Sequence, residues 1–139
     1  MEILLLRDFQ KKDFAEIESL WQETGVGGSH RGDDLDCVQR TLKRGGRLLV
    51  AEIDGKIVST CWLSYDGRRL MLHHMAVNQA YRRRGLGWKM LWESIEYARQ
   101  LSAQLKLEVE KANPGANELY SKGGLKVLEQ FQMMILRNP

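Results

Sequence analysis

One stretch, Arg69 to Leu101, limits most sharply what this chain can fold into. It reads RLMLHHMAVNQAYRRRGLGWKMLWESIEYARQL. An apolar strand pattern runs to Val77, a basic glycine-containing loop follows, and an amphipathic helix pattern completes it. The loop Arg82-Arg83-Arg84-Gly85-Leu86-Gly87 has the chemistry of an anion cradle. Gly85 and Gly87 lack a Cβ, so backbone there approaches a ligand closely. A helix that starts at this point presents unpaired N–H groups and the positive end of its dipole. Both favour a phosphate or pyrophosphate, and the run of arginines adds positive potential.

Two familiar glycine loops do not fit. A P-loop needs Gly-Lys-Ser/Thr, which the chain lacks. A dinucleotide fingerprint needs a third glycine where Met90 stands, and the Val77–Gly85 connection is too long for its turn. Composition narrows the class further. The 139 residues suit one domain spanning 1–139, with 43% hydrophobic and 28% charged residues, an ordinary globular balance. No apolar run approaches the ~20 residues that cross a bilayer. The start MEILLLRDFQKKDF has an acidic second residue and only a short apolar run, unlike a signal peptide. The two cysteines, Cys37 and Cys61, make no disulfide framework, which points to a reducing, cytoplasmic setting. Cys61 reads as a buried small hydrophobe in a strand rather than a nucleophile. The net charge of +3 suits an anionic cofactor as well as nucleic acid. The arginines cluster at one loop without an aromatic stripe, which argues against nucleic-acid binding. The cysteines and three histidines show no metal-ligand spacing, so no metal is implied.

Read in order, the chain gives a strand at Ile3–Arg7 and a helix from Asp13, with Glu16 as capping partner and Phe14, Ile17, Leu20 and Trp21 on its apolar face. Gly25–Gly32 reads as a flexible loop. Asp33 or Asp34 caps a second helix that Gly45 and Gly46 end. The period then changes to two. Arg47–Ile53, Lys56–Tyr65 and Arg69–Val77 are strands joined at Asp54-Gly55 and Asp66-Gly67, an antiparallel meander. The third helix carries a stripe of Trp88, Leu91, Trp92, Ile95 and Ala98. Gln104–Glu110 is a strand, Ala116–Lys122 a short helix, and Leu125–Leu128 with Phe131–Leu136 a closing pair of short strands. No repeat or linker interrupts this order.

Arg82, Gly85 and Gly87 match [Q/R]xxGx[G/A], the signature loop of the GNAT family of N-acetyltransferases, which the chain resembles. A second match is LEVEKANPGANELYSKGGLK, similar to the family's strand, Asn, and helix carrying Leu-Tyr before Gly-Phe; Leu125 replaces the Phe. The order of elements from Ile3 to about Leu136 is also the family's. The resemblance implies an α/β (α+β) GNAT acyl-CoA N-acyltransferase fold. Its central sheet is mixed and mostly antiparallel, with about 6–7 strands and about 4 helices. A V-shaped splay is expected between the strand ending at Val77 and the one starting near Gln104.

The resemblance also implies roles. The loop amides of Arg82, Arg83, Arg84, Gly85, Leu86 and Gly87 hold the coenzyme A pyrophosphate. Backbone groups at Met75, Ala76 and Val77 pair with the pantetheine arm, and Asn113 contributes to the cofactor site. Tyr120 is the general acid, because a phenol of pKa ~10 is protonated at neutral pH. The base is Glu108, placed as in the ribosomal-protein alanine acetyltransferases, or His73, placed as in the aralkylamine acetyltransferases, or ordered water. Strand alternation puts His73, Met75 and Val77 on one face and Leu72, His74 and Ala76 on the other, so His74 is expected to face the third helix. The acidic residues Asp33, Asp34 and Asp36, with the Gly25–Gly32 loop, lie where an amine acceptor enters. The resulting expectation is acetyl-CoA-dependent acetyl transfer, by direct attack, to a primary amine of a small molecule or peptide N-terminus. The alternative is a non-catalytic CoA-binding regulatory module. The apolar Phe131–Leu136 segment is suited to pairing with a second copy of the chain.

Overall fold

The computed structural model describes residues 2–139. Its elements are β1 (Leu4–Asp8), α1 (Phe14–Thr24), α2 (Leu35–Lys43), β2 (Arg47–Ile53), β3 (Lys56–Tyr65), β4 (Arg69–Val77), α3 (Leu86–Leu101), β5 (Gln104–Leu107) and α4 (Pro114–Lys122). The five strands form one sheet in the order β1-β2-β3-β4-β5. The first four pair antiparallel, and β5 runs parallel to β4 after the α3 crossover.

The sheet is covered on both faces. Ile17, Leu20 and Trp21 of α1 and Val38 of α2 pack on Leu48, Val50 and Trp62. On the opposite face Met90, Leu91 and Ala98 of α3 and Tyr120 of α4 pack on Leu49, Cys61, Leu63, Leu70 and Leu72. Buried polar groups are paired. The Trp21 indole donates to Thr60 Oγ1 at 2.9 Å, and the Trp62 indole donates to Thr41 Oγ1 at 2.8 Å. Those two bonds fix α1 and α2 over the middle of β3.

Several expectations change. The sheet has five strands rather than six or seven. Residues 125–139 form no strand, and Phe131, Met134 and Leu136 are exposed. Alternation supplies propensity, but a strand exists only against a neighbour, and none lies beside this segment. β5 stops at Leu107 instead of Glu110, because β4 diverges from it there. On α3 the buried residues are Leu86, Met90, Leu91, Ser94 and Ala98, while Trp88 and Trp92 are 43% and 47% exposed. The small Ser94 and Ala98 let the helix axis approach the sheet, which the large indoles would prevent. Glu16 does not close a capping box at Asp13; it accepts the Ile57 N–H at 2.8 Å. Asp13 instead accepts the Gln10 N–H at 2.7 Å and pairs with Arg7.

Gly46 seats the end of α2 on β3. A Cβ there would lie 2.4 Å from the Leu63 carbonyl oxygen and 2.8 Å from that of Thr41, both backbone atoms that cannot swing aside. Gly67 has open space but φ +89°, which costs a side chain about 1–2 kcal/mol. In urea unfolding, Gly46→Ala is expected to lose more than about 3 kcal/mol, and Gly67→Ala about 1–2 kcal/mol. Equal losses would contradict this seating of α2.

Candidate active site

The β4–β5 ladder runs only from Arg69↔Gln104 to Leu72↔Leu107. Of residues His73 to Val77, His73, Ala76 and Val77 are paired to β3 on one side, and none has a strand on the other. The orientation of their peptide groups follows from their partners. The His74 carbonyl accepts from Thr60 Oγ1 at 3.3 Å, the Ala76 carbonyl accepts from Ser59 Oγ at 2.8 Å, and Asn78 N–H donates to the Val58 carbonyl at 2.8 Å. These point toward β3, so the peptide groups of Met75 and Val77 face the open edge. The V-shaped splay expected from the sequence is therefore present; of the three residues expected to use their backbone there, Met75 and Val77 face the open edge, whereas the Ala76 carbonyl is turned to β3.

At the far end of the splay stands the basic loop. Gly85 is the N-cap of α3 with φ +79°, and nothing lies within 4 Å of where its Cβ would be. Lys89 N–H reaches back to the Gly85 carbonyl at 3.1 Å, so the amides before it head the helix without intrahelical partners. The three arginines divide their tasks. Arg82 Nε donates to the Val77 carbonyl at 3.3 Å, tying the loop to β4. Arg84 pairs with Glu2 at 2.7 Å. Arg83 is exposed, has φ +64°, and makes no ion pair among the described residues. Leu86 is a core side chain, 3% exposed, so only its backbone is available to a ligand. Gly87 plays a packing part: a Cβ there would come within 3.1 Å of Leu119 of α4. Asn113 caps α4, its Oδ1 accepting the Ala116 N–H at 3.1 Å.

Tyr120 lies on the α3–α4 side of the sheet, 8% exposed and packed in the same cluster as Cys61 and Met90. Burial, with Cys61 beside it adding to the effect, pushes its phenol up to about 12. Among the described residues no fully buried side-chain oxygen lacks a partner. Cys61 is wholly buried, its sulfur 3.3 Å from Ser94 Oγ, and burial pushes its thiol up to about 12.

The histidines overturn the simple alternation. The β3–β4 register jumps between Thr60↔Ala76 and Trp62↔His73, and His74 has φ +47°. This is a β-bulge, with two residues of β4 opposite Cys61. It turns His74 away from α3 and onto the α1 face, the side that His73 already occupies. The His74 ring lies 4.7 Å from the Trp21 ring and 5.1 Å from Trp62; His73 lies 5.9 Å from Trp62 and 6.4 Å from His74. Met75 and Val77, past the bulge, pack on the α3 side instead. His74 Nε2 is 2.8 Å from Asp33 Oδ2, and His73 Nε2 is 2.7 Å from Ser64 Oγ. Burial, reinforced by His74 and opposed by Asp33, pulls His73 below the usual imidazole value and leaves it neutral at pH 7.

The Gly25–Gly32 segment is also more ordered than its composition implied. Gly27 and Gly28 are buried, and Ser29–Arg31 make a 3₁₀ turn. A Cβ on Gly27 would lie 2.3 Å from His74 Nε2 and 2.6 Å from Asp33 Oδ2. Glycine there makes room for the pair. Asp34 caps α2 by accepting the Cys37 N–H at 2.9 Å. Glu108 is exposed, beyond the end of β5. Sequence reasoning missed Asp33–His74, Ser64 and Gly27 as one assembly. The adjacent histidines were visible, but nothing in a strand pattern marks the bulge that turns both to one side.

Because its thiol stays protonated and covered, Cys61 is not a nucleophile. Iodoacetamide at pH 8 is expected to label Cys37, which is partly exposed, and to spare Cys61 in the folded protein. Peptide mass spectrometry reads both sites, and labelling of native Cys61 would contradict the assignment.

Comparison with known proteins places this geometry. The sequence model of the Acetyltransferase (GNAT) family matches residues 7–124. The fold is similar to glucosamine-6-phosphate N-acetyltransferase from Arabidopsis thaliana, with TM-score 0.80, 17% identity, and 98% of this chain and 99% of that chain covered. It is similar to an acetyltransferase from Streptococcus agalactiae 2603, with TM-score 0.79, 15% identity, and coverage of 97% and 92%. It is also similar to AAC(6')-Iy in complex with a bisubstrate analogue, CoA-S-monomethyl-acetylneamine, with TM-score 0.75, 12% identity, and 99% of each chain covered. Among the described residues no helix is long and apolar enough to cross a membrane. The match over residues 7–124 decides the family: this chain belongs to the GNAT acetyltransferases.

Proposed function

We propose that the chain transfers an acetyl group from acetyl-CoA to a primary amine by direct attack. The observation that carries this reading is the end of the β4–β5 ladder at Leu72↔Leu107, which leaves unpaired backbone beside an unpaired helix N-terminus. The residues fit the cosubstrate. The amides from Arg83 to Trp88 and the guanidinium of Arg83 suit its pyrophosphate. The peptide groups of Met75 and the N–H of Val77 suit the amide-bearing pantetheine arm, the Val77 carbonyl being taken by Arg82. When bound, acetyl-CoA supplies an activated thioester; all else falls to side chains on the two faces of the sheet.

Those faces have opposite tasks. Tyr120 stands on the α3 side and the histidines on the α1 side, so a group held in the splay meets a proton donor from one side and an acceptor from the other. His73, neutral at pH 7, takes the amine proton, with Ser64 fixing its ring. Asp33 holds His74, and with it the bulge that aims both rings. Burial makes Tyr120 a poorer acid than a free phenol. With its pKa at about 12 and a thiol near ~8.5, full transfer to a free thiolate is uphill. Its part is a hydrogen bond that strengthens as charge develops on the departing sulfur, and it stays a donor across the neutral and mildly alkaline range. Asn113 caps α4 through its Oδ1 and takes no part in these proton movements.

Three outcomes test this. Tyr120→Phe is expected to lower kcat by about 100-fold or more while acetyl-CoA affinity, read by calorimetry, changes little; an unchanged kcat would remove the phenol from the mechanism. Because His73 must be neutral to act, the wild-type rate should fall as pH drops below the ordinary imidazole value of 6.5, and His73→Asn should abolish that limb. A limb lost instead in Glu108→Gln would move the base to Glu108. Gly27→Ala should depress kcat by forcing His74 and Asp33 apart, again with acetyl-CoA binding retained; a wild-type kcat would show that the pair has no catalytic consequence. Tight acetyl-CoA binding with no turnover of any amine would favour the regulatory-module alternative.

A further inference from the structure

We infer that the acceptor amine of this protein carries an anionic group, phosphate or carboxylate, held in a basic cavity beside His73. The inference rests on the acetyl-transfer reading and names its substrate class. On the α2 side of the sheet lies an open cavity of ≈ 640 Å³ whose lining includes Arg44, Arg69 and Lys106. Its floor is a row across three strands. Ser64 of β3 pairs with Met71 of β4, and Met71 pairs with Lys106 of β5. Arg44, just past α2, and Arg69, at the start of β4, complete the ring of cations.

Three cations there face one carboxylate. None of Arg44, Arg69 and Lys106 makes an ion pair among the described residues, whereas Arg7, Arg47, Arg84 and Arg99 all do. The lining contains one carboxylate, Asp66. Its Oδ1 accepts the N–H groups of Arg68 and Arg69 at 2.7 and 2.6 Å, which ties it to its own turn. A cavity that sets three cations against one carboxylate keeps a net positive charge and raises the local concentration of an anion. Guanidinium forks and an ammonium match phosphate or carboxylate oxygens.

The cavity shares a wall with the proposed base. Ser64 lines it, and Ser64 Oγ is 2.7 Å from His73 Nε2. Met71 and His73 are two residues apart on β4, roughly 7 Å along a strand. An amine presented to His73 would therefore have its anionic group a few bonds away. Asp33, which the sequence offered as a partner for the ammonium, is already held by His74.

The test uses the whole chain and two matched pairs: O-phosphoethanolamine against ethanolamine, and 4-aminobutyrate against n-butylamine. Release of CoA thiol gives kcat/KM. At least a tenfold preference for the anionic member of one pair is expected, and which pair shows it tells phosphate from carboxylate. In Arg44→Glu/Lys106→Glu that preference should vanish through KM, with acetyl-CoA affinity kept. Equal kcat/KM for anionic and neutral amines, or a preference that survives the double variant, would overturn the inference while leaving acetyl transfer intact. A second measurement stands apart from turnover. O-phosphoethanolamine and 4-aminobutyrate are added in turn to ¹⁵N-labelled protein, and at least one of them should shift the amides of Ser64, Met71 and Lys106 in the wild type and not in the double variant. No shift at those amides with either ligand would overturn the inference even if no amine were acetylated, an outcome that would count separately against the acetyl-transfer reading.

Discussion

A strand that loses its neighbour must find other partners for its peptide groups, because a covered N–H or C=O without one costs on the order of 1–3 kcal/mol. In this protein β4 outlasts β5 by five residues, His73 to Val77. Their β3 edge stays tied at His73, Ala76 and Val77, on either side of a bulge, while the other edge is left open to something that is not a strand. Everything proposed for the site depends on that unpaired edge. The helix N-terminus at Gly85 stands at one end of it, tied there by Arg82 on the Val77 carbonyl. Tyr120 and the histidines stand on its two sides.

The β-bulge at His74 is the second constraint. A non-glycine residue at φ +47° stores strain, and the surroundings hold it in place. Thr60 hydroxyl donates to the His74 carbonyl, the Trp21 indole donates to that same hydroxyl, and Asp33 meets the ring. The outcome is that two adjacent residues of one strand project to the same face. The chain also lacks room for anything but glycine at position 27, which couples the loop after α1 to the bulge.

Much of this was legible in the sequence, for physical reasons. The glycine loop, the meander turns and the amphipathic helices are local patterns, and local patterns fix local structure. The splay, too, was expected through family resemblance, and the ladder ends where it should. What was not legible depends on partners. The closing strands at 125–136 had the alternation but no neighbour. The indoles of Trp88 and Trp92 had the hydrophobicity, but α3 approaches the sheet through Ser94 and Ala98. His74 had the wrong face assigned because alternation holds only while register holds. Gly87 was read only as a place for backbone to approach a ligand, and the lack of a Cβ there also makes room for Leu119 of α4. The cavity cations Arg44, Arg69 and Lys106 are 25 and 37 positions apart along the chain and meet only through the sheet.

The central claim is that the open edge of β4 and the head of α3 together receive acetyl-CoA. Amide hydrogen exchange with and without acetyl-CoA tests it most directly. The account predicts slowed exchange in two separate segments, 73–77 and 83–88, with the β1–β2 ladder unchanged. Slowing at 83–88 alone would leave a simple anion site at a helix end, and no slowing in either segment would contradict the account.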